Sequence, residues 1–319
     1  MKKIILFAGL FLIFGQAEHS LAYDLQTISS TPVKEDFVLG PGKADLLLNP
    51  GEKVTQKVTV TNRFGKDQEF KVEVEDFSGS FDTDETVRLF GSEKGPYSMK
   101  DYVKPEVYEF SLRHGEKITL PVEIEIPEDS QPGGLYASVL VSTVPDEEVD
   151  ENLAQAKIIS RLGALFFVRV AGDTIESGHL QDFGVKEAEN GFYEKGPITF
   201  EIFFKNEGNV HLNPSGKIEI RNMIGRKVSE QAIESFFAMP NALRKMSVDW
   251  EGGFLMGRYT AVLTLDKNYQ QKPNESETME VSFWVVPWKV LLGAFAAILI
   301  LWRIFIYVRG KFKFEIKRK

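Results

Sequence analysis

Cysteine is absent from all 319 residues. That removes disulfide staples, thiol nucleophiles and zinc–thiolate centres at once, so core burial alone must hold the fold. Histidine is scarce, with four residues. The three beyond the first 22 positions, His114, His179 and His211, each lie near a turn or strand edge, where an imidazole is ordinarily solvated and not catalytic. No Gly-x-Ser-x-Gly elbow, Ser-x-x-Lys, His-Glu-x-x-His or phosphate-binding loop occurs. Asp82, Asp84 and Glu85 form a weak calcium candidate, because their spacing lacks the glycine and the distal glutamate of an EF-hand loop. The expectation is a protein without enzymatic activity or cofactor. A wall hydrolase built on a carboxylate pair is the last-ranked alternative.

Long apolar runs are also few. The first, Ile4 to Phe14, follows Lys2 and Lys3 and precedes the small residues Ser20-Leu21-Ala22. Eleven residues rise only about 16 Å as a helix, roughly half a hydrocarbon core, so residues 1–22 read as a cleaved export signal. The second run, Val290 to Trp302, carries no charge and continues through Ile304 to Val308. It predicts a transmembrane helix over 287–308, with Lys289 and Arg303 snorkelling outward from its ends and Trp284, Trp288, Trp302 and Tyr307 at the two headgroup regions. Residues 309–319 hold six basic residues against one Glu. By the positive-inside rule that tail is cytoplasmic, which makes this a single-pass cell-membrane protein with its ectodomain outside.

Basic residues are few in the ectodomain. Of 38 Lys/Arg and 46 Asp/Glu, ten and two respectively lie outside residues 23–286, leaving 28 against 44 and a net charge near −16. Nucleic acid is excluded as a partner, since phosphate binding needs basic stripes.

What the ectodomain does contain is alternation. Val54, Val58 and Val60, then Phe70, Val72 and Val74, then Ile118 through Ile126 at every second residue, read as half-buried strands. Leu135 to Val144 and Leu162 to Val170 are apolar on both faces. Beyond Gly172, alternation resumes at Phe183/Val185, Ile198 to Phe204, Ile218/Ile220, Tyr259 to Leu265 and Met279 to Phe283. Turn signals every 8–12 residues place the chain in the all-β class, as two tandem immunoglobulin-like β-sandwiches followed by a single transmembrane helix. The expected boundaries are a lead at 23–36, a first sandwich at 37–172, a joint at 173–178 and a second sandwich at 179–286. Pro50-Gly-Glu-Lys and His114-Gly-Glu-Lys repeat one turn chemistry within the first sandwich. The Asn- and Gly-rich stretch Asn206 to Gly225 is read as turn punctuation rather than a ligand loop.

Two loops interrupt the pattern. Asp146 to Gln155 is acidic and cannot be buried. Asp76 to Lys104 is longer and holds Phe77, Phe81, Phe90, Tyr97 and Tyr102, a candidate binding surface that can stack on sugar rings or anchor a protein; alternatively, the rings cap the open end of the sandwich.

Asn206-Glu-Gly-Asn-Val-His-Leu-Asn-Pro-Ser-Gly-Lys-Ile-Glu-Ile220, the Asp249-Trp250 to Gly257-Arg-Tyr259 segment and the Gln131-Pro-Gly-Gly-Leu-Tyr136 turn resemble bacterial cell-surface proteins related to the WxL-interacting proteins, as does the order of parts over nearly the whole chain. The resemblance implies peptidoglycan binding by the first domain and contact with partner proteins by the second. The chain has no Trp-x-Leu of its own, which casts it as the anchored partner. The leading expectation is therefore a surface protein that binds wall polymer or another surface protein. The alternative is a membrane-tethered, chaperone-like assembly subunit that takes a partner strand at an exposed edge.

Overall fold

The computed structural model of the chain describes residues 24–28, 30–80, 85–145, 158–186, 192–253 and 255–311. The expected export signal at 1–22, the acidic loop at 146–155, Phe81, Asp82, Asp84 and most of the basic tail lie outside the described residues. In chain order the first half forms β1 (Asp24–Thr27), β2 (Phe37–Gly40), β3 (Lys43–Leu48), β4 (Lys53–Asn62), β5 (Gln68–Gly79), β6 (Val87–Leu89), β7 (Val103–Pro105), β8 (Glu109–Leu112), β9 (Glu116–Glu125), β10 (Gly133–Thr143) and β11 (Arg161–Val170). The second half forms β12 (Gly178–Val185), β13 (Ile198–Asn206), β14 (Ser215–Asn222), β15 (Lys227–Ile233), β16 (Leu243–Trp250), β17 (Gly257–Asp266) and β18 (Ser276–Val285), and ends in α1 (Trp288–Lys311).

The architecture is all-β with a terminal helix. One sheet of the first half runs β1-β9-β4-β2, with β7 also on β9; the other runs β3-β11-β10-β5-β6, with β8 also on β5. The second half stacks β12-β13-β16 on β15-β14-β17-β18. This is the strand exchange of immunoglobulin-like sandwiches. In the first half the leading strand switches sheets, since β2 pairs antiparallel with β4 and β3 then pairs parallel with β11, across a turn containing the cis Gly40–Pro41 peptide.

Alternation puts every second side chain into a core. In the first sandwich Val58, Val60, Phe70, Ile118, Leu120, Phe166 and Val168 are at most 1% exposed in one cluster; in the second, Ile198, Phe200, Ile202, Phe204, Ile218 and Leu263 are fully buried in another. The repeated Gly-Glu-Lys is turn chemistry in both places. Gly51 and Gly115 take φ of 76° and 79°, and the Glu52 and Glu116 carboxylates accept the Asn49 and Arg113 N–H, each at 2.8 Å. Two asparagines also match. Asn62 at the end of β4 and Asn206 at the end of β13 are fully buried, and each side chain donates to two carbonyls and accepts one turn N–H.

Helix α1 is long and apolar enough over Trp288–Arg309 to cross a membrane, and none of that stretch is buried against the sandwiches. Trp284, Trp288, Trp302, Tyr307 and Arg303 are exposed, as is the rest of the helix through Arg309. Lys289 pairs with Glu194 at 2.9 Å.

Candidate functional site

The aromatic loop does not present the surface its composition suggested. Asp76 is fully buried, and its carboxylate accepts the N–H groups of Gly95, Met99 and Lys100 at 3.0, 2.9 and 2.8 Å, so the loop folds back onto the sheet. Phe77 is 0% exposed, which corrects the expectation of a ligand-facing ring at that position. Phe90 lies half-buried under Arg88, and Tyr97, also half-buried, packs edge-on against Tyr136 with ring centroids 5.8 Å apart. Tyr102 keeps an exposed ring. Glu85 receives a hydrogen bond from Ser80, and among the described residues no three His, Cys, Asp or Glu side chains gather as metal ligands.

Instead, Phe77 belongs to a strip joining the sandwiches, with Tyr136, Phe167, Met239 and Ala242. The approach is close enough that a Cβ on Gly79 would lie 2.4 Å from that of Ala242. Phe167 sits at the centre, edge-on to Phe77, Tyr136, His211 and Phe237 at 5.0–5.7 Å, with the Lys43 ammonium 4.5 Å over its ring. Polar groups are threaded through the strip. The Tyr136 hydroxyl accepts the His211 backbone N–H at 2.7 Å, and Nε2 of His211 faces Asp45 at 2.6 Å. Arg169 reaches the His211 carbonyl and pairs with Glu176, whose carboxylate also accepts the N–H groups of Gln270 and Gln271.

His211 is therefore a structural residue of the seam. His114 is another clamp, held between the Gly65 N–H and the Thr31 carbonyl, while His179 is exposed beside Glu207. Burial pushes the Tyr136 hydroxyl far above its usual range, so it stays neutral. Burial also raises Asp45 and Glu176, but the hydrogen bonds and charges of His211 and Lys43 outweigh it for Asp45, which settles at about 2, and Arg169 with two amides outweighs it for Glu176.

A carboxyl with a depressed folded-state pKa contributes stability above its unfolded value that is lost as pH falls through the folded one. For Asp45 that window runs from 3.8 down to about 2. The urea midpoint of the wild type is expected to fall more steeply across it than that of Asp45→Asn; parallel curves would remove Asp45 from the seam's energetics.

The second feature is an edge. Thr143 N–H donates to the Ser160 carbonyl and Leu165 N–H to the Gly42 carbonyl, both at 3.0 Å. These two bonds fix the phase of β11: Leu162 and Ala164 bond inward to β10, while Arg161, Gly163 and Leu165 point outward. Strand β3 covers the outward side only from Leu165 to Val170. Arg161 and Gly163 thus aim an N–H and a C=O each at no backbone partner among the described residues. Beside them Ile158, Ile159 and Leu162 are 83%, 58% and 41% exposed. Lys43 stands where the chain's own pairing stops, its ammonium bonded to Asp45 and Asn213. Nearby, Arg244 shares the Phe237 ring with Lys43 and donates to Thr86, and its buried Nε has no hydrogen-bond partner among the described residues.

No family model matches the chain, and no curated protein matches it in sequence. Among solved structures it is similar to the class 5 fimbriae chaperone CfaA, at 13% identity and a TM-score of 0.38, over 77% of this chain and 98% of that one. It is similar, again at 13% identity and over 77% of its length, to the E. coli chaperone DraB, covering 97% of that chain at a TM-score of 0.34. A third similarity is to the CsuC–CsuE chaperone–tip subunit pre-assembly complex from Acinetobacter baumannii, at 13% identity and a TM-score of 0.35, over 77% of this chain and 97% of that one.

Proposed function

We propose that this chain is a non-enzymatic assembly factor of the cell envelope, anchored by α1 with its sandwiches outside and its basic tail in the cytoplasm, that holds an exported protein by strand addition at the free half of β11. The observation that carries the reading is the conjunction at that edge: outward backbone groups at Arg161 and Gly163 with no backbone partner among the described residues, beside three exposed apolar side chains. Folded proteins blunt such edges with charge, proline or covering loops, because an open one pairs with any available strand. An added strand would satisfy the backbone groups and cover Leu162 and the two isoleucines. Among the described residues, the wall-polymer reading implied by the WxL-interacting resemblance has one exposed ring, Tyr102, in the aromatic loop, so the edge is the better-supported surface.

The test separates backbone from side chain at Arg161, whose guanidinium pairs with Glu73 and Glu75. Arg161→Ala removes only that pairing. Arg161→Pro also removes the outward N–H, at an edge position where the sheet's own ladder loses no bond. Photo-crosslinking of the full-length protein in its native membranes is expected to capture an exported partner in the wild type and in Arg161→Ala, and to lose about tenfold or more with Arg161→Pro, the equivalent of about 1.4 kcal/mol. Equal capture by the two variants would overturn strand addition at β11.

A further inference from the structure

At the end of the second sandwich from which α1 departs, apolar side chains are exposed together. Met223 is 73% exposed, Ile224 80%, Met256 56% and Trp284 54%. The register puts them at one level, since Asn222 pairs with Tyr259, Tyr259 with Phe283, and Gly257 with Val285. Met223 leans across toward Gly257, its Sδ 3.7 Å from where a Cβ would stand. Both β14 and β18 run antiparallel to β17 and hence parallel to each other, so the turn after β14 points the same way as the chain entering α1. Strands lie about 4.8 Å apart, which sets that turn about 10 Å to the side of β18. From the level of Val285 to Trp288 is three residues, at most about 10 Å of chain.

The start of α1 is also tied to this end of the sandwich. Val286 N–H donates to the Tyr193 carbonyl at 2.7 Å, and Lys289 bonds Glu194. Charge supports the same orientation. Arg226 at the turn and Arg258 on β17 are exposed and make no ion pair among the described residues, whereas Arg221 and Lys227 are held by Glu219 and Glu230. Arg258, Met223 and Trp284 line one groove of about 500 Å³.

We propose that this end of the second sandwich is a lipid-docking surface. Met223 and Ile224 enter the headgroup layer of the outer leaflet, Trp284 lies at its boundary, and Arg226 and Arg258 meet lipid phosphates. The inference rests on α1 crossing the membrane, because a span starting at Trp288 obliges this end, and not the opposite one, to face the bilayer. Two consecutive apolar residues at a turn tip, beside two arginines, Arg226 and Arg258, that make no ion pair among the described residues, are the composition of an interfacial contact. A second attachment beside the span fixes the height and tilt of the ectodomain, which a single helix joined through Val286 and Pro287 does not.

The absence of cysteine makes the test clean, since one introduced thiol is the only labelling site. Full-length protein carries an environment-sensitive fluorophore at Ile224→Cys, Met223→Cys, Lys272→Cys in the loop at the far end of β17, or Leu299→Cys within α1. Each is placed, one copy per disc, in nanodiscs of phosphatidylcholine and phosphatidylglycerol containing headgroup or acyl-chain spin-labelled lipid. The labels at 223 and 224 are expected to emit to the blue and lose intensity to headgroup quencher, the label at 299 to lose intensity to acyl-chain quencher, and the label at 272 to do neither. Quenching at 299 with none at 223 and 224 overturns the docking and leaves the span in place. No quenching at 299 removes the span and the docking with it. A blue shift at 224 that is absent with one copy per disc and appears only in discs loaded with two assigns the patch to self-association and overturns the lipid contact.

Discussion

Phe167→Ala is expected to cost about 3–5 kcal/mol and to uncouple the two sandwiches, so that thermal unfolding changes from one transition to two. Phe167 is fully buried, but not in either sandwich core. On β11 its neighbours Phe166 and Val168 point into the first core, and Phe167 points the other way, into the seam. Its removal leaves Phe77 and Tyr136 without their central partner on one side, and His211 and Phe237 without theirs on the other. The surrounding polar groups limit collapse into the gap, because Tyr136 and His211 are fixed by their hydrogen bond and Asp45. A cavity that cannot collapse sits at the costly end of the range. Each sandwich retains its own closed core, so the loss falls on the coupling between them and not on either fold. A single transition with an unchanged midpoint would show that the seam is a passive contact.

The seam also marks what local pattern could and could not tell. Strands β4, β9, β13 and β17 were legible because one face is core and the other solvent, which writes itself into the sequence as period two. The lead strands β2 and β3 and the edges β15 and β16 were not, because an edge strand half-buried on one face and wet on the other mixes polar residues into both. β15, Lys-Val-Ser-Glu-Gln-Ala-Ile, buries only its last residue. The helix α1 was readable from hydropathy alone, since none of its apolar stretch packs on the sandwiches and it makes no demand on tertiary context.

The candidate sites depended on pairs distant in sequence. His211 looks like a solvated turn residue until Asp45, 166 positions earlier, is set against it. The aromatics after Asp76 look like an open surface until the buried carboxylate collects three amides 19 to 24 positions away. The open half of β11 is defined by where β3 stops, which no feature of β11 itself announces. Exposure of Ile158 and Ile159 was a signal within reach, since two isoleucines directly after an acidic loop have no alternation to bury them.

The Asn-rich stretch is turn punctuation, and its energetics can be separated by one residue type in two settings. Asn206 is fully buried; its amide donates to the Val210 and Ala238 carbonyls at 2.8 Å each, and its Oδ1 accepts the Gly208 N–H at 2.8 Å. Asn222 performs a similar task in the next turn, accepting the N–H groups of Ile224 and Arg226 at 3.2 and 3.0 Å, but in the open. Asn206→Ala strands the Val210 carbonyl and the Gly208 N–H at about 1–3 kcal/mol each, while the Ala238 carbonyl keeps the Leu212 N–H at 3.0 Å. The loss is expected to be on the order of 2–6 kcal/mol, against a total domain stability of about 5–15. Asn222→Ala leaves its amides to water and is expected to cost about 1 kcal/mol or less. Asn206→Asp does not rescue: the carboxylate still accepts from Gly208 but donates to neither carbonyl, and it brings an unpaired charge into a dry site. Urea unfolding of the three variants ranks them directly. If Asn206→Ala and Asn222→Ala lose the same amount, the buried amide is not what closes the second sandwich, and its turn must be held by the strands alone.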